Sequence, residues 1–227
     1  MPDALMLFAA GFGTRMGALT ATRPKPLVEV AGRPLIDHAL DLASGAGVGR
    51  IVVNTHYLPD QIAAHLAGRG ILLSHEPQIL ETGGGLKAAR GLLDSAEVFT
   101  LNSDAIWAGP NPLALLRAAW RPEAMDALLL LVPPERARGH RGRGDFLCDA
   151  AGRLSRGPGL IYPGAQIIKT DAVAQVTKDV FSLNLVWDRL LARQRLYGLT
   201  YPGQWCDVGR PEGIAEAEAL LHEAGHA

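Results

Sequence analysis

The sequence contains only two cysteines, Cys148 and Cys206, which lie far apart and lack the spacing of a metal-binding motif. A disulfide-stabilised secreted domain is therefore not indicated, and we expect two free thiols in a reducing compartment, the cytoplasm. No apolar run approaches the ~18 to 20 residues that span a membrane. The apolar segment near the N-terminus is too short for a signal peptide and passes directly into a glycine-rich stretch.

The chain also lacks an excess of charge of either sign, because its formal net charge is −1. Bulk charge therefore provides no attraction to nucleic acid or to an anionic membrane, and we predict neither as a partner. The 227 residues are enough for one α/β domain with a sizeable core. Without repeats, low-complexity tracts or an obvious linker, the sequence predicts a single domain over residues 1–227.

Short apolar segments alternate with amphipathic segments through most of the chain. This alternation predicts strand–helix–strand units, and thus a mainly parallel sheet with helices on both faces. Ligands of such sheets bind beyond the carboxyl ends of the strands. We predict strands at 4–10, 50–55, 70–76, 97–104, 126–132 and 196–201, a strand pair or bend at 160–168, and helices at 35–47, 59–68, 84–93, 112–120, 182–196 and 211–225.

The stretch AAGFGTRMGALTATRPKPL, residues 9–27, directly follows the first predicted strand. Gly11 and Gly13 allow a backbone path that brings N–H groups close to a phosphate, and Thr14 adds a hydroxyl. The spacing differs from that of a P-loop and from the dinucleotide fingerprint. Arg15 and Lys25 follow, the latter between two stiffening prolines, and could neutralise a triphosphate during attack on one of its phosphoryl groups.

The ordered string AAGFGTRM, LT and RPKPL resembles the signature of the sugar-phosphate nucleotidyltransferases, with Phe8 where leucine is usual and Arg23 where threonine is usual. The resemblance implies a Rossmann-like, three-layer nucleotidyltransferase fold. It also implies transfer of a nucleotide from a nucleoside triphosphate to a sugar 1-phosphate, with release of pyrophosphate. It makes Arg15 and Lys25 the catalytic residues, and Ala10, Gly11, Gly13 and Thr14 nucleotide-binding residues.

Two aspartates match the metal-binding motifs of this family. Asp104 closes NSD at the end of a predicted strand, and Asp207 lies in WCDVG shortly before the last predicted helix. The resemblance implies that both bind Mg²⁺, which prefers one or two carboxylates together with phosphate oxygens and water. We therefore predict a magnesium cofactor.

ETGGG, residues 81–85, occupies the position of the family's nucleobase turn, which implies base contacts by Thr82 and Gly83. Thr82 could also cap the following helix. Glu76 stands where relatives that use uridine triphosphate often have Gln or Glu. An ionised Glu76 accepts hydrogen bonds from uracil N3–H or from guanine N1–H and N2–H₂, but would face the acceptor N3 of cytosine. The sequence thus favours uridine or guanosine triphosphate.

GRGDF, residues 142–146, together with LETGGG and the compact length, resembles the N-acetylmuramate 1-phosphate uridylyltransferases of bacterial cell-wall recycling. The resemblance implies sugar contacts by Gly144, Asp145 and Tyr162. The loop before Gly144 is rich in basic side chains, which would suit an anionic sugar such as the muramyl one. These side chains are Arg136, Arg138, His140, Arg141 and Arg143.

Other activities remain open at this stage. Short chains of this type also act as mannose 1-phosphate guanylyltransferases or as phosphocholine cytidylyltransferases. A non-catalytic nucleotide-binding regulator is a second class, although binding alone would not require Arg15, Lys25, Asp104 and Asp207 together. A fragment of a bifunctional transferase–acyltransferase is disfavoured, because the sequence has no hexapeptide repeat.

Overall fold

The computed structural model describes residues 1–225, so His226 and Ala227 of the predicted 1–227 domain lie outside the described residues. The strands are β1 (Ala4–Phe8), β2 (Glu29–Val30), β3 (Arg33–Pro34), β4 (Arg50–Thr55), β5 (Leu72–His75), β6 (Glu97–Asn102), β7 (Ala105–Ala108), β8 (Ala127–Leu131), β9 (Ala137–Arg138), β10 (Phe146–Cys148), β11 (Leu154–Arg156), β12 (Ala165–Lys169), β13 (Leu196–Thr200) and β14 (Gln204–Asp207).

The helices cover both faces of the sheet. They are α1 (Leu35–Gly45), α2 (Pro59–Leu66), α3 (Glu81–Leu93), α4 (Pro112–Ala119), α5 (Thr170–Ala174), α6 (Leu183–Ala192) and α7 (Glu212–Glu223). Short 3₁₀ helices occupy Thr14–Thr20, Lys25–Leu27 and Pro134–Arg136. No helix within residues 1–225 combines the length and the apolar character needed to cross a membrane.

Seven strands form the central sheet in the order β13-β8-β12-β6-β1-β4-β5. All neighbouring pairs are parallel except those of β12, which runs antiparallel to both β6 and β8. The predicted mainly parallel α/β sheet is therefore confirmed. The parallel strands β1, β4 and β6 end at one edge of the sheet, where a ligand site is expected.

Alternating side chains along the strands create a core on each face of the sheet. In β1, Leu5 and Leu7 pack with α1, α2 and α4, whereas Ala4 and Met6 pack with α3, α5 and α6. A third cluster joins α7 to β7 and β14 through residues such as Ile106 and Cys206. Cys206 is buried and Cys148 is exposed, and both are free thiols as predicted.

Several boundaries differ from the sequence prediction. The helix predicted at 84–93 begins at Glu81, because the N–H groups of Gly83 and Gly84 both donate to the carbonyl of Phe181 and hold the first turn in place. The strand predicted to reach residue 104 ends at Asn102. The sequence analysis also missed a three-stranded sheet of order β7-β14-β9, whose pairing depends on residues far apart in the chain.

Candidate active site

A cavity of about 320 Å³ lies at the carboxyl ends of β1, β4 and β6. Its wall is formed by residues that follow these strands, by the glycine-rich loop after β1, and by the start of α3. Nine of the predicted site residues contribute to this wall: Ala10, Gly11, Gly13, Thr14, Arg15, Lys25, Glu76, Thr82 and Asp104. The structure thus brings the predicted catalytic residues and all predicted nucleotide-binding residues except Gly83 together at the expected edge of the sheet.

The two loop glycines differ in what they permit. Gly13 has a φ of 65°, and a Cβ there would lie only 2.9 Å from the Cβ of Lys25. Only glycine adopts this backbone conformation without strain and also leaves space for the Lys25 side chain. Gly13 therefore allows the loop to pack closely against Lys25. A Cβ on Gly11 would have no atom within 4 Å, so the space next to the backbone there is open. This arrangement is suited to the close approach of a phosphate group.

Side chains from the loop itself and from the region around the start of α2 fix its position. The hydroxyl of Thr20 donates to the carbonyl of Gly13 at 3.0 Å. The hydroxyl of Tyr57 contacts the carbonyls of Thr20 and Ala21 at 2.9 and 3.0 Å, and Gln61 Nε2 donates to the carbonyl of Thr22 at 2.9 Å. The loop is therefore held by the segment that enters α2, a contact that the sequence alone did not indicate.

Lys25 and Asp104 form the central ion pair of the site. Lys25 is only 7% exposed, and its Nζ donates to Asp104 Oδ2 at 2.6 Å. A buried ammonium requires a charged partner, so Asp104 compensates for its loss of hydration. Asp104 remains partly exposed toward the cavity. The pair therefore places a positive and a negative group side by side at the end of β6.

The small sheet places Asp207 beside Asp104, although 103 positions separate them in the sequence. Asp207 pairs with Ala105 in the β7–β14 ladder, and the N–H of Val208 donates to the carbonyl of Asp104 at 3.0 Å. Burial, followed by the charge of Asp104, raises the pKa of the Asp207 carboxyl, and the nearby cations Lys25 and Arg15 offset this only in part. Two carboxylates with this electrostatic strain are suited to binding a cation.

Gly209 is a cavity residue that the sequence analysis missed. A Cβ at this position would lie 2.9 Å from Asp207 Oδ2 and 3.2 Å from Arg15 Nη1. Its lack of a side chain therefore leaves room for both the Asp207 carboxylate and the Arg15 guanidinium at this position. Its position two residues after Asp207 in DVG was the available signal.

The residues predicted to contact the base occupy different environments. Thr82 lines the cavity, but its Oγ1 accepts from the N–H of Leu183 at 3.0 Å instead of capping α3. Gly83 is not among the described residues that line the cavity. A Cβ at this position would collide with the ring of Phe181. Glu76 lines the cavity while remaining 1% exposed. The predicted base contacts by Thr82, Gly83 and Glu76 stay predictions.

The residues predicted to bind sugar are not among the described residues that line this cavity. Gly144 has a φ of 89°, and a Cβ there would lie 2.2 Å from the carbonyl oxygen of Gly159. Asp145 Oδ2 accepts from the N–H of Tyr162 at 2.9 Å, which fixes the carboxylate. The ring of Tyr162 packs edge-on against Trp187, and burial raises the pKa of its hydroxyl. Their sugar contacts stay predictions.

The basic loop does not act as one cluster in the structure. Arg136 donates to the carbonyl of Pro202, and Arg138 pairs with Glu223 at the surface. His140 and Arg141 instead line a neighbouring cavity of about 150 Å³ together with Asp207. The positive charge of the basic loop that lies next to Asp207 therefore comes from Arg141.

Comparison with known proteins places this chain in a family. The family model described as "MobA-like NTP transferase domain" matches residues 5–224, so the chain belongs to the MobA-like NTP transferases. The predicted resemblance to the sugar-phosphate nucleotidyltransferases is confirmed. Crystal structures of HddC from Yersinia pseudotuberculosis complexed with GMP-PN and of a UDP-glucose pyrophosphorylase complexed with UDP-glucose have TM-scores of 0.78 and 0.74, at 20% and 17% identity. They cover 96% and 98% of this chain, and it covers 98% and 99% of theirs.

The sequence comparison is more specific. The chain is 42% identical to the N-acetylmuramate alpha-1-phosphate uridylyltransferase of Caulobacter vibrioides, over 98% of each sequence. It is 34% identical to the enzyme of the same name from Neisseria meningitidis, over 95% of this chain and 96% of the relative. A mannose-1-phosphate guanyltransferase from Yarrowia lipolytica is 28% identical, over 95% of this chain and 63% of the relative.

Proposed function

We propose that the protein transfers a uridylyl group from uridine triphosphate to N-acetylmuramic acid 1-phosphate, in cytoplasmic recycling of cell-wall sugars. The observation that carries the proposal is that Arg15 and the Lys25–Asp104 pair line one cavity beside a glycine-rich loop, with Asp207 held next to Asp104 by the β7–β14 pairing. The identity of the full-length relatives supports this substrate pair. The two free thiols are compatible with a reducing cytoplasm.

The chemistry needs no covalent enzyme intermediate, because a sugar 1-phosphate oxygen is already a nucleophile at neutral pH. This oxygen forms a bond to the α-phosphorus, the bond from that phosphorus to the bridging β-oxygen breaks, and pyrophosphate leaves with the electron pair. Lys25 stabilises the negative charge that develops around the α-phosphorus, and Arg15 holds the departing pyrophosphate. Catalysis therefore consists of positioning and charge neutralisation.

Asp104 and Asp207 are the residues that would hold Mg²⁺. Within residues 1–225, no group of three or more His, Cys, Asp or Glu side chains has the arrangement of a metal site. Two carboxylates fit an ion that takes its remaining ligands from phosphates and water. When bound, the ion supplies positive charge that screens the phosphates from each other. Asp207, whose pKa is raised by burial and by Asp104, gains a compensating charge in this way.

The test is a matrix of four nucleoside triphosphates against several 1-phosphates, read as pyrophosphate release. We expect the highest kcat/KM for uridine triphosphate with N-acetylmuramic acid 1-phosphate. A preference for guanosine triphosphate with mannose 1-phosphate, or for cytidine triphosphate with phosphocholine, would replace this substrate pair. Nucleotide binding without pyrophosphate release from any pair would instead indicate a regulator.

The basic loop predicts a preference for an anionic sugar. N-acetylmuramic acid carries a lactyl carboxylate that N-acetylglucosamine lacks, and Arg141 lines the cavity next to Asp207. Joint replacement of Arg141 and Arg143 by alanine should reduce kcat/KM for the muramyl substrate by about tenfold or more, the scale of a lost charge-assisted hydrogen bond. The loss with N-acetylglucosamine 1-phosphate should be much smaller.

Arg138→Ala is the matched control for this experiment, because Arg138 lies three residues before Arg141, on β9, but pairs with Glu223. It should leave the ratio of the two kcat/KM values unchanged. Equal losses on both sugars in the Arg141/Arg143 variant would show that these arginines belong to a solvated loop and do not select the substrate.

A further inference from the structure

Glu76 is fully engaged within the protein. The N–H of Ala9 donates to Asn54 Oδ1 at 2.7 Å, which turns Asn54 Nδ2 toward Glu76 Oε1, also at 2.7 Å. The N–H of Leu80 donates to Glu76 Oε2 at 3.0 Å. Gly85 packs so closely that a Cβ there would lie 2.6 Å from Oε1. Both oxygens of this carboxylate therefore already accept a hydrogen bond, and its 1% exposure leaves almost no surface for a base.

The direction of these hydrogen bonds explains why position 76 needs a carboxylate. Asn54 and Leu80 both donate to it, so the side chain must accept at both of its terminal atoms. Glutamine would place an amide N–H₂ against one of these donors. Glu76 thus connects the end of β1, through Asn54, with the segment before α3. It acts as a positioning residue for the cavity wall.

Glu81, five residues later, has the opposite properties. It is exposed, it lines the nucleotide cavity, and its side chain makes no hydrogen bond or ion pair within the described residues 1–225. Its φ of 60° lies in the left-handed region that glycine adopts without strain, at the first residue of α3. Strained backbone of this kind is concentrated at ligand-binding sites.

We propose that the carboxylate of Glu81 selects the nucleobase by accepting its ring N–H. The proposal rests on the proposed function and names the base-reading group of the same site. Uracil N3–H and guanine N1–H are donors, whereas the corresponding ring nitrogens of cytosine and adenine are acceptors that a carboxylate disfavours. Glu81 therefore favours a base of the uracil or guanine type, while Glu76 holds the wall behind it.

Binding measurements test this independently of turnover. Isothermal titration calorimetry would give the Kd of uridine, cytidine and 2′-deoxyuridine triphosphates for the wild type, Glu81→Gln and Glu81→Gly. We expect Glu81→Gly to weaken uridine triphosphate binding by about tenfold, the scale of a lost hydrogen bond to a charged group. Glu81→Gln should weaken it less, because its amide oxygen still accepts from uracil N3–H. Glu81→Gln should also reduce the preference for uridine over cytidine triphosphate by about tenfold, because an amide can donate to cytosine N3.

Two further variants separate base reading from wall structure and backbone strain. Glu76→Gln should lower the Tm and weaken binding of uridine and cytidine triphosphates alike, since it disrupts the wall and not the contact with the base. Gln194→Gly is the matched control for strain, because Gln194 is exposed, has a φ of 54°, and lies in the turn between α6 and β13. It should leave all three Kd values unchanged.

An unchanged preference for uridine over cytidine triphosphate in Glu81→Gln would overturn the proposal. So would a loss confined to the preference for uridine over 2′-deoxyuridine triphosphate, which would assign Glu81 to the ribose. Failure of the proposed function has a different signature, namely no pyrophosphate release by the wild type. In that case the Kd ratios would still support or overturn the role of Glu81.

Discussion

Asp207→Asn and Asp104→Asn should both reduce turnover by at least about 10²-fold, yet shift the Tm in opposite directions. Burial and the charge of Asp104 raise the pKa of Asp207, so its ionised form is less stable in the folded protein than in the unfolded chain. Removing this charge should stabilise the metal-free protein. We expect a Tm higher by about 2–4 °C, the shift that ~1 kcal/mol produces in a chain of this size.

The pH dependence of this gain follows from the raised pKa. Above the folded-state pKa of Asp207, the wild-type carboxylate is ionised and its full penalty applies, so the advantage of Asp207→Asn is complete. As the pH falls through that pKa toward the ordinary aspartate value, the wild-type side chain becomes protonated and the advantage disappears. Thermal denaturation at neutral pH and near pH 4, without divalent cations, measures this change.

Asp104→Asn should destabilise the protein, because it leaves the buried Lys25 ammonium without a counter-charge. We expect a loss of about 1–3 kcal/mol, since Asp104 is partly exposed and relief of Asp207 offsets part of the cost. Mg²⁺ with uridine triphosphate should raise the Tm of the wild type more than that of either variant. Asp171→Asn, which alters a surface pair with Arg90, is the control and should change neither activity nor the response to Mg²⁺. Near-normal kcat in either site variant would contradict the two-carboxylate site.

Lys25→Met and Arg15→Ala should lower kcat by about 10²-fold or more and raise KM less. Their proposed roles lie in the transition state, where charge develops on the α-phosphate and on pyrophosphate. Methionine preserves most of the volume of Lys25 below Gly13, so its effect reports the loss of charge. Steady-state kinetics with saturating sugar phosphate separate kcat from KM.

Arg23→Ala is the appropriate comparison for the charge variants, because Arg23 is an exposed arginine between Arg15 and Lys25. It should retain both kinetic constants. If Lys25→Met and Arg15→Ala changed only KM, the two residues would bind the triphosphate in the ground state without contributing to the chemical step.

Much of the site could be predicted because its residues are close together in the sequence. Gly11, Gly13 and Thr14 form one loop whose conformation depends on local backbone freedom and on the strand before it. Asp104 follows β6, and every parallel strand ends at the same edge of the sheet. The family resemblance then supplied the roles of these residues, and the comparisons confirmed the family and the fold.

The environments of the charged residues could not be predicted in this way. Glu76 was predicted from its position to contact the base, and its hydrogen bonds with Asn54 and Leu80 were not part of that prediction. Arg136 and Arg138 belonged to an apparent basic cluster, but they bind Pro202 and Glu223. A side chain's partners in the fold decide whether its charge remains available, and these partners are distant in sequence.

The amino-acid sequence by itself determined the alternation of strands and helices, the glycine-rich loop after β1 and the residue types of the candidate site. Hydrophobic periodicity and glycine positions encode such features over a few residues. Only the tertiary structure decided that β14 pairs with β7, so that Asp207 lies next to Asp104. It also decided that Glu76 is enclosed, whereas Glu81 is exposed and has no side-chain partner among residues 1–225. The physical reason is that strand pairing and side-chain burial depend on the whole packed chain, which local propensities do not specify.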